Sequence, residues 1–197
     1  MKKFTTKMLC RAGIVAALYV ALTCPLGALA FGALGFQIRP AEALTMLPLF
    51  YAESIPALYV GCLIANVFTG TAWDIGLGSL CSLIAALCTF AAGKLIRNTP
   101  AKLVVGGAFP VLVNAFGIPC VLLLSGFAYG TYWFMFASLL LTQAVWVFGM
   151  GVPLYFGIAA LRGKGVSAFC DNFGARRPDA SSAPAPSPAE APHGGKN

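Results

Sequence analysis

Apolar residues run along this chain in long stretches, and the few polar positions between them mark the elements. Ala12 to Phe36 contains no charged residue. That run exceeds the apolar core of a signal peptide, and more apolar runs follow it. It predicts a first transmembrane helix near 8–34, kinked or ended near Pro25. From Pro40 to Gly70 the strongly polar residues are Glu42, Glu53 and Asn66. Pro48 and Pro56 flank Glu53, so two shorter helices are predicted near 40–52 and 55–70. Each falls short of the roughly 20 residues a full span needs, which allows a tilted or re-entrant segment. Trp73-Asp74 opens a helix near 74–97, with Asp74 as N-terminal cap or first-turn acid. Lys94, Arg97 and Lys102 bracket a turn at Asn98-Thr99-Pro100. Leu103 to Leu161 is again free of charge and fits two spans, near 101–125 and 131–162. The first holds Asn114 between Pro110 and Pro119, and the second holds Gln143.

The pattern predicts an all-α integral membrane protein with six transmembrane helices in residues 1–165. Residues 166–197 read as a tail, disordered from about 178, where the sequence turns to Pro, Ala and Ser. Composition agrees. The chain is 59% hydrophobic and only 10% charged, against about 25% charged in soluble domains. The net charge of +7 does not indicate nucleic acid, because the basic residues sit at the ends of apolar runs. With six helices and a cytoplasmic N-terminus, Lys2 to Arg11, Lys94 to Lys102 and Arg162 onward all lie inside. This satisfies the positive-inside rule and places both termini in the cytoplasm. The external connections then contain a single basic residue, Arg39.

Arg39 belongs to the stretch Gln37-Ile38-Arg39-Pro40-Ala41-Glu42, where opposite charges sit together inside apolar sequence. Pro40 suits the first turn of a helix, where a missing N–H costs nothing. Glu42 then faces the positive end of the helix dipole, three residues from Arg39. The pair either neutralises itself at a membrane surface or flanks a polar ligand at one mouth of the protein. The topology brings Gln37, Arg39, Glu42, Asn66, Trp73 and Asp74 to that mouth, with Tyr129, Tyr132 and Trp133 beside them. Asn114 and Gln143 lie deeper, where polar groups mark substrate paths or interhelical bonds. On the first helix Gly13, Ala17 and Ala21 form a small-residue face, with Ala12 and Ala16 adjacent. Such a face allows close approach by a partner helix or by the protein's own helices.

Other chemistries find no support in the sequence. The sole histidine is His193, in the tail, and none of the seven cysteines forms a C-x-x-C pair. No metal site, cofactor or catalytic pair is expected, and no enzyme. The nearest approach to a phosphate-binding loop, Gly157 to Gly165, has five residues before Gly163-Lys164 instead of four, and Gly165 instead of Ser or Thr. No ladder of buried acids serves proton coupling. A protein of this kind would need an energising partner.

Three motifs carry a family resemblance: Gln37 to Pro48, Gly61-Cys62-Leu63-Ile64-Ala65-Asn66, and Asp74-Ile75-Gly76-Leu77-Gly78-Ser79-Leu80. Over roughly residues 8–162 the chain resembles the QueT family. These are substrate-binding S components of energy-coupling factor (ECF) transporters, associated with queuosine precursors. The resemblance implies a six-helix membrane fold with ligand bound near the external face. It implies partners as well: one transmembrane coupling subunit, which docks on a small-residue face of the first helix, and two cytoplasmic ATPases. The implied ligand is a 7-deazaguanine such as preQ1, preQ0 or queuine. Glu42 or Asp74 would accept its N–H donors, while Arg39, Gln37, Asn66 or Asn114 would donate to its carbonyl. Trp73, Trp133 or Tyr132 would stack on its ring. The family pattern often has an acid where this chain has Gln143, so a less charged ligand is expected here. An S component for another vitamin or purine-like ligand, and a membrane adaptor without a small ligand, are the alternative readings.

Overall fold

The computed structural model describes residues 6–31, 37–69, 71–126, 128 and 130–166, and all regular structure among them is helical. Helix α1 spans Thr6–Thr23 and gives way to a 3₁₀ stretch, Cys24–Phe31. The break falls where Pro25 removes a backbone donor, and Gly27 just beyond adopts a φ of 44°. A second 3₁₀ helix follows at Pro40–Leu49, then α2 at Ser54–Thr69. A π-helical turn, Asp74–Gly78, leads into α3, Ser79–Leu95. Helix α4 is Thr99–Ser125, α5 is Tyr132–Ala144 and α6 is Val152–Gly163. The π-helical segment Val145–Gly151 joins α5 and α6 into one rod of 32 residues. The predicted tail beyond residue 166, and Tyr129, lie outside the described residues.

Among the described residues, four helices are long and apolar enough to cross a membrane: Thr6–Gly27, Asp74–Leu95, Thr99–Ser125 and Tyr132–Gly163. The segment predicted near 40–52 differs from the expectation of an ordinary helix. It is a 3₁₀ helix of 10 residues with Ala41 through Pro48 all buried. At about 2.0 Å per residue it covers roughly 20 Å, short of the roughly 30 Å hydrocarbon core. Pro48 inside it has no N–H to give, and the Phe50 N–H closes the end onto the Leu47 carbonyl at 2.9 Å.

This 3₁₀ helix is the axle of the fold. It packs against α1, α3, α4 and the π-helical segment before α6. At its far end Leu49 is clasped between Gly93 and Gly106, where an added Cβ would come within 3.0 Å and 2.8 Å of it. Helix α1 lies at the edge, with 11% of its apolar window buried against 50% for α4. It is held to α2 by a close crossing at Gly61, where a Cβ would stand 2.9 Å from Tyr19 Cβ and 3.0 Å from the Ala16 carbonyl oxygen. Ala16 therefore faces the protein's own α2. Gly13, Ala17 and Ala21 face outward and are exposed.

Candidate functional site: a buried carboxylate and its donors

Arg39 precedes the 3₁₀ helix, Pro40 begins it, and Glu42 occupies its first turn. The tight helix carries Glu42 into the bundle, where it is 1% exposed. The Tyr19 hydroxyl on α1 donates to Glu42 Oε1 at 3.4 Å. The Asn114 side-chain amide on α4 donates to Glu42 Oε2 at 3.1 Å. Arg39 Nη1 stands 3.9 Å from Oε1, and Gln143 on α5 is also within hydrogen-bonding reach of the carboxylate. Tyr19, Gln37, Arg39, Asn114 and Gln143 are all buried. A lone buried carboxylate is strongly disfavoured, and here donors from α1 and α4 meet both of its oxygens. Ionisable groups enclosed in a membrane protein are costly, which makes this cluster the candidate site.

A second polar knot lies beside the first. The Asn66 amide on α2 donates to the Asp74 carbonyl at 2.8 Å and to Ser79 Oγ at 3.3 Å. Asp74 itself accepts from the Thr71 N–H at 3.3 Å and the Thr71 hydroxyl at 3.0 Å, while its own N–H points back to Thr71 Oγ1 at 3.4 Å. This is a reciprocal capping box, and the spacing Thr71-Ala72-Trp73-Asp74 is its sequence signature. The Asp74 carboxylate is engaged in starting the helix of α3. Arg39 lies within the electrostatic reach of Asp74 as well as of Glu42, which links the two knots.

The aromatic residues expected to stack on a ligand stand apart. Trp73 is 48% exposed and Trp133 is 70% exposed. Trp133 packs edge-on against Tyr132 and Phe136, and Tyr132 donates to the Phe116 carbonyl at 3.1 Å. The buried cluster gathers Gln37, Arg39, Glu42, Asn66, Asp74, Asn114 and Gln143 from the predicted set. Tyr19 was not anticipated. Beyond Arg11 the residues of α1 around Tyr19 are apolar on every face, which leaves the inward side of that stretch unmarked.

A separate charged pair was also missed. Arg11 Nη2 lies 2.6 Å from Glu53 Oε1, and its guanidinium stacks over the Tyr51 ring at 4.3 Å. Arg162 covers the same ring at 5.3 Å. The sequence signal was available: an acid inside an apolar run requires a cation. This cluster lies where the 3₁₀ helix hands over to α2, beyond the end opposite Glu42.

A family profile described as "QueT transporter" matches residues 9–160. A curated relative, the queuosine precursor transporter QueT of Lactococcus lactis subsp. cremoris (strain MG1363), is 37% identical over 84 residues. The matched stretch spans 43% of this chain and about half, 50%, of the relative. No solved structure matches. The profile covers α1 through nearly all of α6, including every residue of the buried cluster, so this chain belongs to the QueT transporter family.

Proposed function

We propose that this chain is the substrate-binding S component of an ECF-type importer for a queuosine precursor. It captures a 7-deazaguanine such as preQ1, preQ0 or queuine from outside the cell. A transmembrane coupling subunit and two cytoplasmic ATPases then drive uptake. The observation that carries this reading is the enclosed Arg39–Glu42 pair with Asn114 and Gln143 around it. A flat heterocycle with N–H donors and a carbonyl fits such a mixture of charge and amide. The cluster also lies in the half of the bundle where the positive-inside rule puts the external face. In this reading the 3₁₀ helix and α2 complete a six-segment bundle, and both termini are cytoplasmic.

The ligand site centres on Gln37, Arg39, Glu42, Asn66, Asn114 and Gln143. Asp74, Trp73 and Trp133 stand at the rim of the same end. The exposed face Gly13, Ala17 and Ala21 receives the coupling subunit, since small residues let membrane helices approach closely. The test is reconstituted uptake in a host unable to make queuosine precursors. Queuosine should appear in tRNA when this chain, a coupling subunit and both ATPases are supplied together with external preQ1, preQ0 or queuine. It should be absent when the ATPases are omitted. Uptake independent of the ATPases would refute the S-component assignment.

A further inference from the structure

Glu42 is surrounded by donors. Tyr19 and Arg39 approach Oε1, Asn114 donates to Oε2, and Gln143 is within reach. A carboxylate only accepts, so each amide must turn its NH₂ toward Glu42 and its carbonyl away. The consequence is visible in the structure. Asn114 Oδ1 and Gln143 Oε1 are buried and have no hydrogen-bond partner. Asn114 is 1% exposed and Gln143 is 2% exposed. Buried acceptors are satisfied in nearly all folded proteins, so two orphans on one carboxylate require an account. Gln37 Oε1 and Asn66 Oδ1 are buried acceptors in the same state, though neither side chain is held on Glu42.

We infer that Glu42 is a positioning residue, and that the carbonyl oxygens of Asn114 and Gln143 are the atoms that read the ligand's N–H donors. This rests on the proposed function. Glu42 fixes both amides in the acceptor-out orientation, and its own lone pairs are taken by the protein. The site is thereby selective for a donor-bearing edge. A ligand that presents an acceptor there meets a carbonyl and leaves both groups unpaired.

The test compares 7-deazaguanine with 7-deazahypoxanthine, which lacks the exocyclic amine, by titration of the purified protein. The wild type should prefer the amine-bearing base by at least about fivefold, the consequence of one buried acceptor left unmade. Either N114L or Q143L should reduce that preference to under about twofold. Leucine keeps the branched outline of asparagine with more bulk, so any overpacking at position 114 is read from stability. A Y19F variant, which touches Glu42 but presents no carbonyl, should keep the preference. Melting temperature in detergent identifies any variant that fails to fold, and the second leucine variant then decides. If both leucine variants keep the full preference, the carbonyls are satisfied by water only and Glu42 reads the ligand directly, which overturns the inference. If the wild type binds both bases equally, the inference fails while the transport reading stands. If neither base nor any queuosine precursor binds, the transport reading itself has failed.

Discussion

Glu42 and Arg39 depend on each other in an environment where neither charge is solvated. Removing one partner of a buried pair is generally worth about 3–5 kcal/mol of destabilisation, because the survivor stays buried. R39M should therefore lower the melting temperature in detergent sharply. R39M combined with E42L should recover most of that loss while abolishing ligand binding. A double variant as unstable as R39M alone would show that the surrounding amides, not the ion pair, hold the region. E42Q keeps the shape of the side chain but offers one NH₂ where two acceptors stood. One neighbouring amide must then turn its carbonyl inward. Affinity for a 7-deazaguanine should fall more than about tenfold, because the inverted amide meets the ligand's donors with its own NH₂ and leaves them unpaired, with the protein still inserted. Normal binding by E42Q would make the acid purely structural. At this scale the sequence was informative where charge interrupts apolar residues: Arg39, Glu42, Asn114 and Gln143 stand out because nothing near them resembles them. Tyr19 did not stand out, because a hydroxyl on an aromatic ring is unremarkable in a membrane helix. The same holds for Trp73 and Trp133, whose exposure follows from helix rotation and not from residue type.

Among the elements, α1 has two distinct faces. Tyr19 and Ala16 press on Gly61 of α2, and Gly13, Ala17 and Ala21 face away from the bundle. G61L should wedge the two helices apart, since even a Cβ meets backbone at 3.0 Å. Overpacking of this kind costs about 1–3 kcal/mol, and here it would also pull the Tyr19 hydroxyl from Glu42. Both thermal stability and ligand affinity should drop. A drop in stability alone would uncouple Tyr19 from the site. A17W is the opposite case. It should abolish co-purification with the coupling subunit and abolish uptake, with ligand affinity of the isolated protein within about twofold of wild type, because an outward residue leaves the core unchanged. Intact complex formation would place the interface elsewhere. Pro25, Pro40 and Trp73-Asp74 marked in the sequence where elements break or begin, but the Thr71 cap of the segment leading into α3 was not read there. Nor did the sequence show that residues 40–49 wind as 3₁₀. Periodicity over so short and largely apolar a segment does not distinguish 3.6 from 3.0 residues per turn.

For the molecule as a whole, the positively charged ends and the buried polar cluster divide the bundle into two halves. The Arg11–Glu53 pair, capped by the Tyr51 ring, sits at the end where α1 begins and α6 finishes. Glu42 sits at the other end of the same 3₁₀ helix. Hydropathy made the membrane class plain. It could not assign the number of full crossings, because four helices have the length and two central segments are short. Such short segments need neighbours on every side, and their neighbours are distant in sequence: Leu49 against Gly93 and Gly106, and Glu42 against Asn114. In the proposed function this buried cluster binds a queuosine precursor without help from the partner subunits. This binding is tested most directly by titrating the purified chain alone, in detergent, with preQ1, preQ0, queuine and guanine, beside the E42Q variant. Saturable binding of at least one 7-deazaguanine is expected, stronger than guanine, and more than about tenfold weaker in E42Q. Absence of binding for every deazapurine, or equal affinity in E42Q, would contradict it.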